Sequence, residues 1–493
     1  MISRLHLLPL AAALAAALTA VPAVAQGGGA AKAKAPAAAT ATAAVRTVVL
    51  HTNIVDGKMV FVDDKGQVNP TLNAQVGDTI EIALDSGEGA EHDFVVPDLG
   101  VASPKFNGTT GRAKVRFTAT QPGEFSYYCS IPGHRMIGME GKLVVKGTAA
   151  AAPAGAAAPA EASRAALALY TPAAVPMRAA DASAVNVAAD PAKVPPAIGP
   201  RAPQTLKVRM ETVELAGKLD DGTTFTYWTF DRQVPGPMLR ARKGDTVELT
   251  LANARDSKMI HSIDLHAVTG GQGGGADTQV APGQEKTITF KAMNPGLYVY
   301  HCATPLVPQH IAAGMYGLIL IEPEEGLSKV DREFYVMQGD MYTTRAHGAK
   351  GHQDADMDKM GNELPDYYVF NGQVGALTKT HKLQAHVGET VRIYFGVGGP
   401  NKISSFHVIG EIFDTVYSEG SFSGVKHDVQ TTLVAPGGAT MVELKVEHPG
   451  SYLLVDHALS RAGKGAVGML EVTGAPTPGV YKASHPGAAM AAH

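Results

Sequence analysis

The sequence predicts an all-β protein of three homologous domains, each a β-sandwich or Greek-key barrel. Three repeated segments carry this expectation. "VGDTIEIAL" (76–84), "KGDTVELTL" (243–251) and "VGETVRIYF" (387–395) are one turn followed by a strand with apolar residues at period two. "PGEFSYYC" (122–129), "PGLYVYHC" (295–302) and "PGSYLLVD" (449–456) are a Pro-Gly turn feeding a second strand. "GMEGKLVV", "GMYGLILI" and "GAVGMLEV" close each copy with a glycine turn and a last strand.

In chain order, the first element is an export signal, residues 1–25. It has a basic start (MISR), an apolar run and an Ala23-Val24-Ala25 cleavage site. This predicts a periplasmic protein without a membrane span after cleavage. A low-complexity linker is expected over 26–44 and a first domain over 45–147. An Ala/Pro-rich linker of 148–202 holds few large apolar residues and should not form a core. The second and third domains are expected at 203–325 and 326–475, packed as a unit because the connection is short, with a disordered tail over 476–493. The net charge of −4 and the lack of a long basic run speak against a nucleic-acid partner.

The chain has only two cysteines, Cys129 and Cys302. In an exported protein they could form a disulfide. Each, however, has its own companions: His92, Cys129, His134 and Met139 in the first domain, and His261, Cys302, His310 and Met315 in the second. Two imidazoles, a thiolate and a weak thioether suit a copper electron-transfer site. A lone histidine is more often a core or surface residue, and a lone methionine more often packing. The recurrence of the set at matching points of a repeat argues for copper. Met136 is a weaker axial candidate, since only Met139 aligns with Met315. The third domain has Asp456 and Ala466 where the cysteine and methionine stand. His407 is read as occupying the position of His92 and His261, and His457 follows Asp456.

Successive strand residues face opposite sides. If Cys302 points into its domain, His301 points out of it. In "HSIDLH" (261–266), Asp264 and His266 share the face opposite His261. Asp264, His266 and His301 therefore suggest a second, open metal site that lacks a third protein ligand. Tyr128 and Pro97 replace His301 and His266 in the first domain, which should carry electrons only.

Over residues 203–475 the chain resembles the copper-containing nitrite reductases, in "VPGPMLRARKGDTVELTL", "MIHSIDLH", "YHCATPLVPQHIAAGMYGLILIEPEEGL", "SSFHVIGEIFDTVYSEG" and "YLLVDHALSRAGKGAVGMLEV". The first domain, with "CSIPGHRMIGMEG", looks like the cupredoxin fused in front of three-domain members. The resemblance implies three cupredoxin-like domains, the last two forming the reductase core. It implies two type 1 coppers and one type 2 copper per chain. His261, Cys302, His310 and Met315 look like type 1 ligands. His266, His301 and, from a neighbouring subunit, His457 look like type 2 ligands. Asp264 and His407 would be the proton-handling pair and Ile409 the apolar cap of the substrate pocket. The implied reaction is one-electron reduction of nitrite to nitric oxide, with electrons passing through Cys302–His301. The implied assembly is a homotrimer, with pairing of trimers left open. The donor would be a c-type cytochrome or a small cupredoxin.

Two other readings compete. A multicopper oxidase would need His-x-His pairs, which the second and third domains lack, and "HCA" stands where "HCH" would be required. A non-catalytic copper carrier leaves Asp264, His266, His301, His407 and His457 without a role.

Overall fold

The computed structural model describes residues 45–484 except 56–57, 88–89, 109, 132–133, 136–137 and 148–176. The export signal, the first linker, Met136 and residues 485–493 lie outside the described residues. All described residues belong to one compact unit, Ala44–His493. No helix among them is long and apolar enough to cross a membrane.

The same two-sheet unit occurs three times. In each, a first strand runs parallel to the strand that follows the Gly-Asp/Glu-Thr turn. The pairs are Val45–Val55 with Thr79–Ser86, Thr205–Asp220 with Thr246–Asn253, and Arg332–Met341 with Thr390–Val397. In the second sheet, the strand after the Pro-Gly turn pairs antiparallel with the closing strand: Gly123–Tyr128 with Glu140–Lys146, Gly296–His301 with Tyr316–Glu322, and Gly450–Asp456 with Val467–Thr473. Alternating strands bury one face and leave the other partly accessible, as in Thr79–Ser86, whose Ile80, Ile82 and Leu84 point inward.

Each domain has its own apolar core. The core of the second domain continues into Tyr335, Met337, Tyr394 and Met441 of the third. Their boundary also holds a buried charge network. Arg240 bonds Glu322 and Glu333, and Arg392 bonds Glu333 and Glu443. Removing one member of such a network costs about 3 to 5 kcal/mol, because it strands a buried charge. The first domain rests on the second: Ile260 joins the first domain's core, and the Glu91 N–H donates to the Lys258 carbonyl at 3.0 Å.

Two stretches depart from the sequence reading. The linker was expected to reach residue 202, but its described part is laid against the core. Val187 and Ala189 are buried, and Val185 and Ala188 bridge to Gly217 and Val234. Small residues suffice there because the receiving surface supplies the apolar bulk. Similarly, the start of the expected tail is held: the Thr477 N–H donates to the Glu447 carbonyl at 2.8 Å, and the Tyr481 ring lies 5.4 Å from that of His448.

Candidate metal centres

In the second domain, His261, Cys302, His310 and Met315 are all fully buried. His261 bridges the backbone of Val280, Cys302 follows the strand Gly296–His301, and His310 sits on the short helix Val307–Ala312. The Cys302 N–H donates to the Met315 carbonyl at 3.1 Å, and the Met315 N–H to the His310 carbonyl at 3.2 Å, which closes the loop carrying three of the four side chains. The donor atoms converge: His261 Nδ1 and His310 Nδ1 are 3.2 Å apart, and Cys302 Sγ is 3.3 Å from His310 Nδ1. Metal bonds of about 2.0 to 2.3 Å hold neighbouring donors roughly 3 to 4 Å apart, so this set fits one ion.

The first domain repeats the arrangement. His92 Nδ1 and His134 Nδ1 are 3.1 Å apart, and Cys129 Sγ lies 3.4 Å from His134 Nδ1 and 3.8 Å from His92 Nδ1. Met139 is buried and closes the loop by the same two backbone bonds, at 3.2 and 3.0 Å. Both sulfurs face a backbone N–H, Asp93 at 3.5 Å and Ser262 at 3.4 Å. Both cysteines are free of any disulfide, so that alternative is excluded.

The outer face of the second domain carries a third group. Asp264 pairs with His301 across the strands, and His266 lies one turn of the pleat further on. His266 Nε2 and His301 Nε2 are 3.1 Å apart, and Asp264 Oδ2 is 3.8 Å from His301 Nε2. The His301 Nδ1–H donates to the Cys302 carbonyl at 3.0 Å. This bond fixes the tautomer and leaves the Nε2 lone pair as the one that could face a metal. Burial and the nearby His301 push the His266 pKa down, which favours the neutral form that can ligate. A glycine loop closes over Asp264: Gly273 has φ +65°, and a Cβ there would lie 1.7 Å from Asp264 Oδ1.

Comparison with known proteins fits this geometry. A family profile described as "Multicopper oxidase" matches residues 211–326, and one described as "Copper binding proteins, plastocyanin/azurin family" matches 48–146. The chain is 56% identical over 287 residues to a copper-containing nitrite reductase of Neisseria meningitidis, spanning 58% of this chain and 74% of that protein. It is 36% identical to the enzyme so named from Cereibacter sphaeroides, over 54% of this chain and 75% of that protein. Among solved structures it is similar to a copper nitrite reductase of Nitrosomonas europaea, with 37% identity and a TM-score of 0.50, covering 56% of this chain and 96% of that one.

The chain belongs to the copper-containing nitrite reductases. It carries an additional cupredoxin domain in front of the reductase core.

In this reductase the third domain has no buried donor set. Strand register corrects one sequence expectation. His407 pairs with Val455 as Asp264 pairs with His301. His407 therefore stands at the position of Asp264, and Ser404 stands at that of His92 and His261. The Asp456 carboxylate takes the place of the sulfur, accepting from Ser405 N at 3.1 Å, Gln338 Nε2 at 3.1 Å and Arg461. Counting along one strand misses this, because equivalence depends on the partner strand. His407 and exposed His457 lie together, with ring centroids 5.5 Å apart. The His407 Nδ1–H donates to the Gln430 carbonyl at 2.6 Å. Ile409 is exposed on the same strand. Within one chain, neither histidine joins the Asp264–His266–His301 group.

Two residues not singled out by the sequence touch the buried set. The only tryptophan, Trp228, lies edge-on to His261 and His310, at centroid distances of 5.6 and 4.6 Å. Its cross-strand partner Glu214 places Oε1 3.2 Å from His261 Nε2. The same oxygen accepts from Lys258 N at 2.9 Å and Met259 N at 2.8 Å. Burial opposes the Glu214 charge, but His261 and these two donors hold its carboxyl below the usual range. The two thiols also differ. Burial pushes the Cys129 thiol up to about 12, whereas at Cys302 burial is outweighed by His310 and His261, which hold it well below the usual thiol range.

Proposed function

We propose that this chain reduces nitrite by one electron to nitric oxide, using two type 1 sites and one type 2 site per chain. The type 1 sites are His92–Cys129–His134–Met139 and His261–Cys302–His310–Met315. The type 2 site is His266 and His301 with His457 of a second copy, in a homotrimer. The observation that carries this is the back-to-back placement of a buried and an open donor set on consecutive residues, Cys302 and His301.

Bound copper would store one electron in each buried set and offer nitrite a Lewis-acid position at the open one. Everything else is the work of this chain's residues. Cys302 and His301 link the two core donor sets covalently, which gives the electron its path. The glycine loop orients Asp264 toward the open group, where its carboxyl holds a proton close to the bound oxyanion. His407, its Nδ1–H committed to Gln430, keeps Nε2 for the second proton. Nitrite, one electron and two protons then give nitric oxide and water. Ile409 caps the pocket and excludes water.

Incompleteness within one chain supports the trimer: His266 and His301 lie on one domain, His407 and His457 on another, and one copy does not bring them together. The first domain, lacking ligands at Tyr128 and Pro97, relays electrons from a periplasmic donor, a c-type cytochrome or small cupredoxin. Its contact with the second domain supports this role. His134 Nε2 and His310 Nε2 are both buried without a hydrogen-bond partner, and His310 adds to burial and His92 in holding the His134 pKa well below its usual value. A covalent tether raises the relay's effective concentration.

The test is anaerobic incubation of copper-loaded protein with a reduced donor and nitrite, followed by a nitric oxide electrode. Sustained nitric oxide is expected. Its absence from fully loaded protein would instead favour the electron-carrier reading.

A further inference from the structure

We propose that the first domain passes its electron directly to the core site of its own chain, across a built contact in which the Nε2 edges of His134 and His310 face each other. This deepens the reading above and rests on its assignment of copper to the two buried sets.

The contact joins the ends of the two domains that carry the donor sets. Glu91 immediately precedes His92, and its N–H donates at 3.0 Å to the carbonyl of Lys258, three residues before His261. Ile260, the neighbour of His261, is 2% exposed and belongs to the first domain's core, and Ala281 packs against that same core. From the other side comes Ile131, three residues before His134 and 8% exposed. It lines a cavity of about 160 Å³ together with Trp228, Met259 and Gln309 of the second domain. Gln309 directly precedes His310, and Trp228 lies edge-on to the His310 ring.

The imidazoles are oriented for transfer. In each set the two Nδ1 atoms converge, 3.1 Å apart in the first domain and 3.2 Å in the second, so Nε2 lies on the far side of each ring. His134 and His310 are both fully buried, and the Nε2 of each has no hydrogen-bond partner. After burial and His92, His310 is the third influence lowering the His134 pKa, which places the two rings near each other. Electron tunnelling falls off steeply with distance and runs more easily through bonds and packed atoms than across solvent. The ring edges supply the short route. The Glu91–Lys258 bond adds a second one, a single hydrogen bond between two ligand-bearing segments. One electron leaves the first-domain site, which is oxidised, and enters the core site, which is reduced; no bond breaks and no proton moves. Because neither ring edge is exposed, a donor protein delivers its electron to another face of the first domain.

The experiment is anaerobic flash photolysis of full-length, copper-loaded protein with a soluble photoreductant and no nitrite. Met139→Gln makes the first-domain site distinguishable, since the axial ligand tunes the site, and its oxygen favours the oxidised ion and sends the electron toward the core. The first-domain band should return as the core band bleaches, at a rate that does not change on dilution. Ile131→Asp places a charge in the apolar contact. With the seat lost, transfer relies on the tether alone and should slow by about tenfold or more, with both bands retained. A rate proportional to protein concentration would overturn the proposal, as would an unchanged rate in Ile131→Asp. If Ile131→Asp loses first-domain copper, Ala281→Arg, which crowds the contact from the second domain, should slow the step likewise, and no slowing would overturn the proposal. Mixed assemblies of Cys129→Ser chains with Cys302→Ser chains should lack the fast step, and its presence there would overturn the same-chain route. Because no step uses nitrite, the result is independent of the nitric oxide assay: a missing transfer leaves the reductase reading standing.

Discussion

The first and second domains hold buried donor sets with closely matching spacings, yet among the described residues only the second places a further group of candidate ligands on the far side of its cysteine strand. Tyr128 stands where His301 does and Pro97 where His266 does. On the proposed function, the difference teaches that the buried set is a module for electron storage, and that catalysis draws on the opposite face of the same strand, which a single parity step makes available. The third domain shows the converse. In place of the buried set it has a carboxylate held by Arg461 and Gln338, beside half-buried His407 and exposed His457.

The sharpest way to break the comparison is to make the second domain resemble the first. His301→Tyr should take nitric oxide formation to background, a loss beyond the roughly 10- to 100-fold that removing an outer partner of a ligand costs. The type 1 charge-transfer bands should persist, and an electrode reading beside a visible spectrum checks both. Mixed assembly sharpens this result. Chains carrying His301→Tyr and chains carrying His457→Ala should each be inactive, yet regain activity when co-assembled, because one interface in a mixed trimer pairs intact halves. Continued inactivity in verified mixed oligomers would remove the shared site.

Next in size, Asp264→Asn should slow turnover about 10²-fold, as expected for a proton donor, with copper content unchanged. Near-normal rates across pH would take Asp264 out of the proton role. Cys129→Ala should slow turnover by about tenfold with a protein donor, through loss of the tethered relay, while leaving turnover with a small chemical reductant intact. Equal rates with the protein donor would show that electrons enter the core directly. The smallest effect is expected from Tyr128→His. One histidine opposite Val95, with Pro97 beyond it, cannot assemble a second open site, and nitrite turnover should not change.

Much of this was legible in the chain because it is written in local periodicity. The repeated turns and alternating strands announced three all-β domains, and the structure has them. The two buried sets and the outward group were legible because the donors lie on two short segments whose parity fixes their faces. The linker boundary was not, since residues 177–202 owe their order to the surface that receives them.

The sequence by itself determined which residues could meet within a strand pair, because a two-residue period leaves no freedom about facing. Only the tertiary structure decided what stands behind them. Glu214 and Trp228 lie some 30 to 80 residues before the donors they touch and share no spacing with them; only pairing of distant strands brings them in. The equivalence of His407 with Asp264 was likewise settled by cross-strand register. Register is set by hydrogen bonds between chain segments, and no count along one segment contains it.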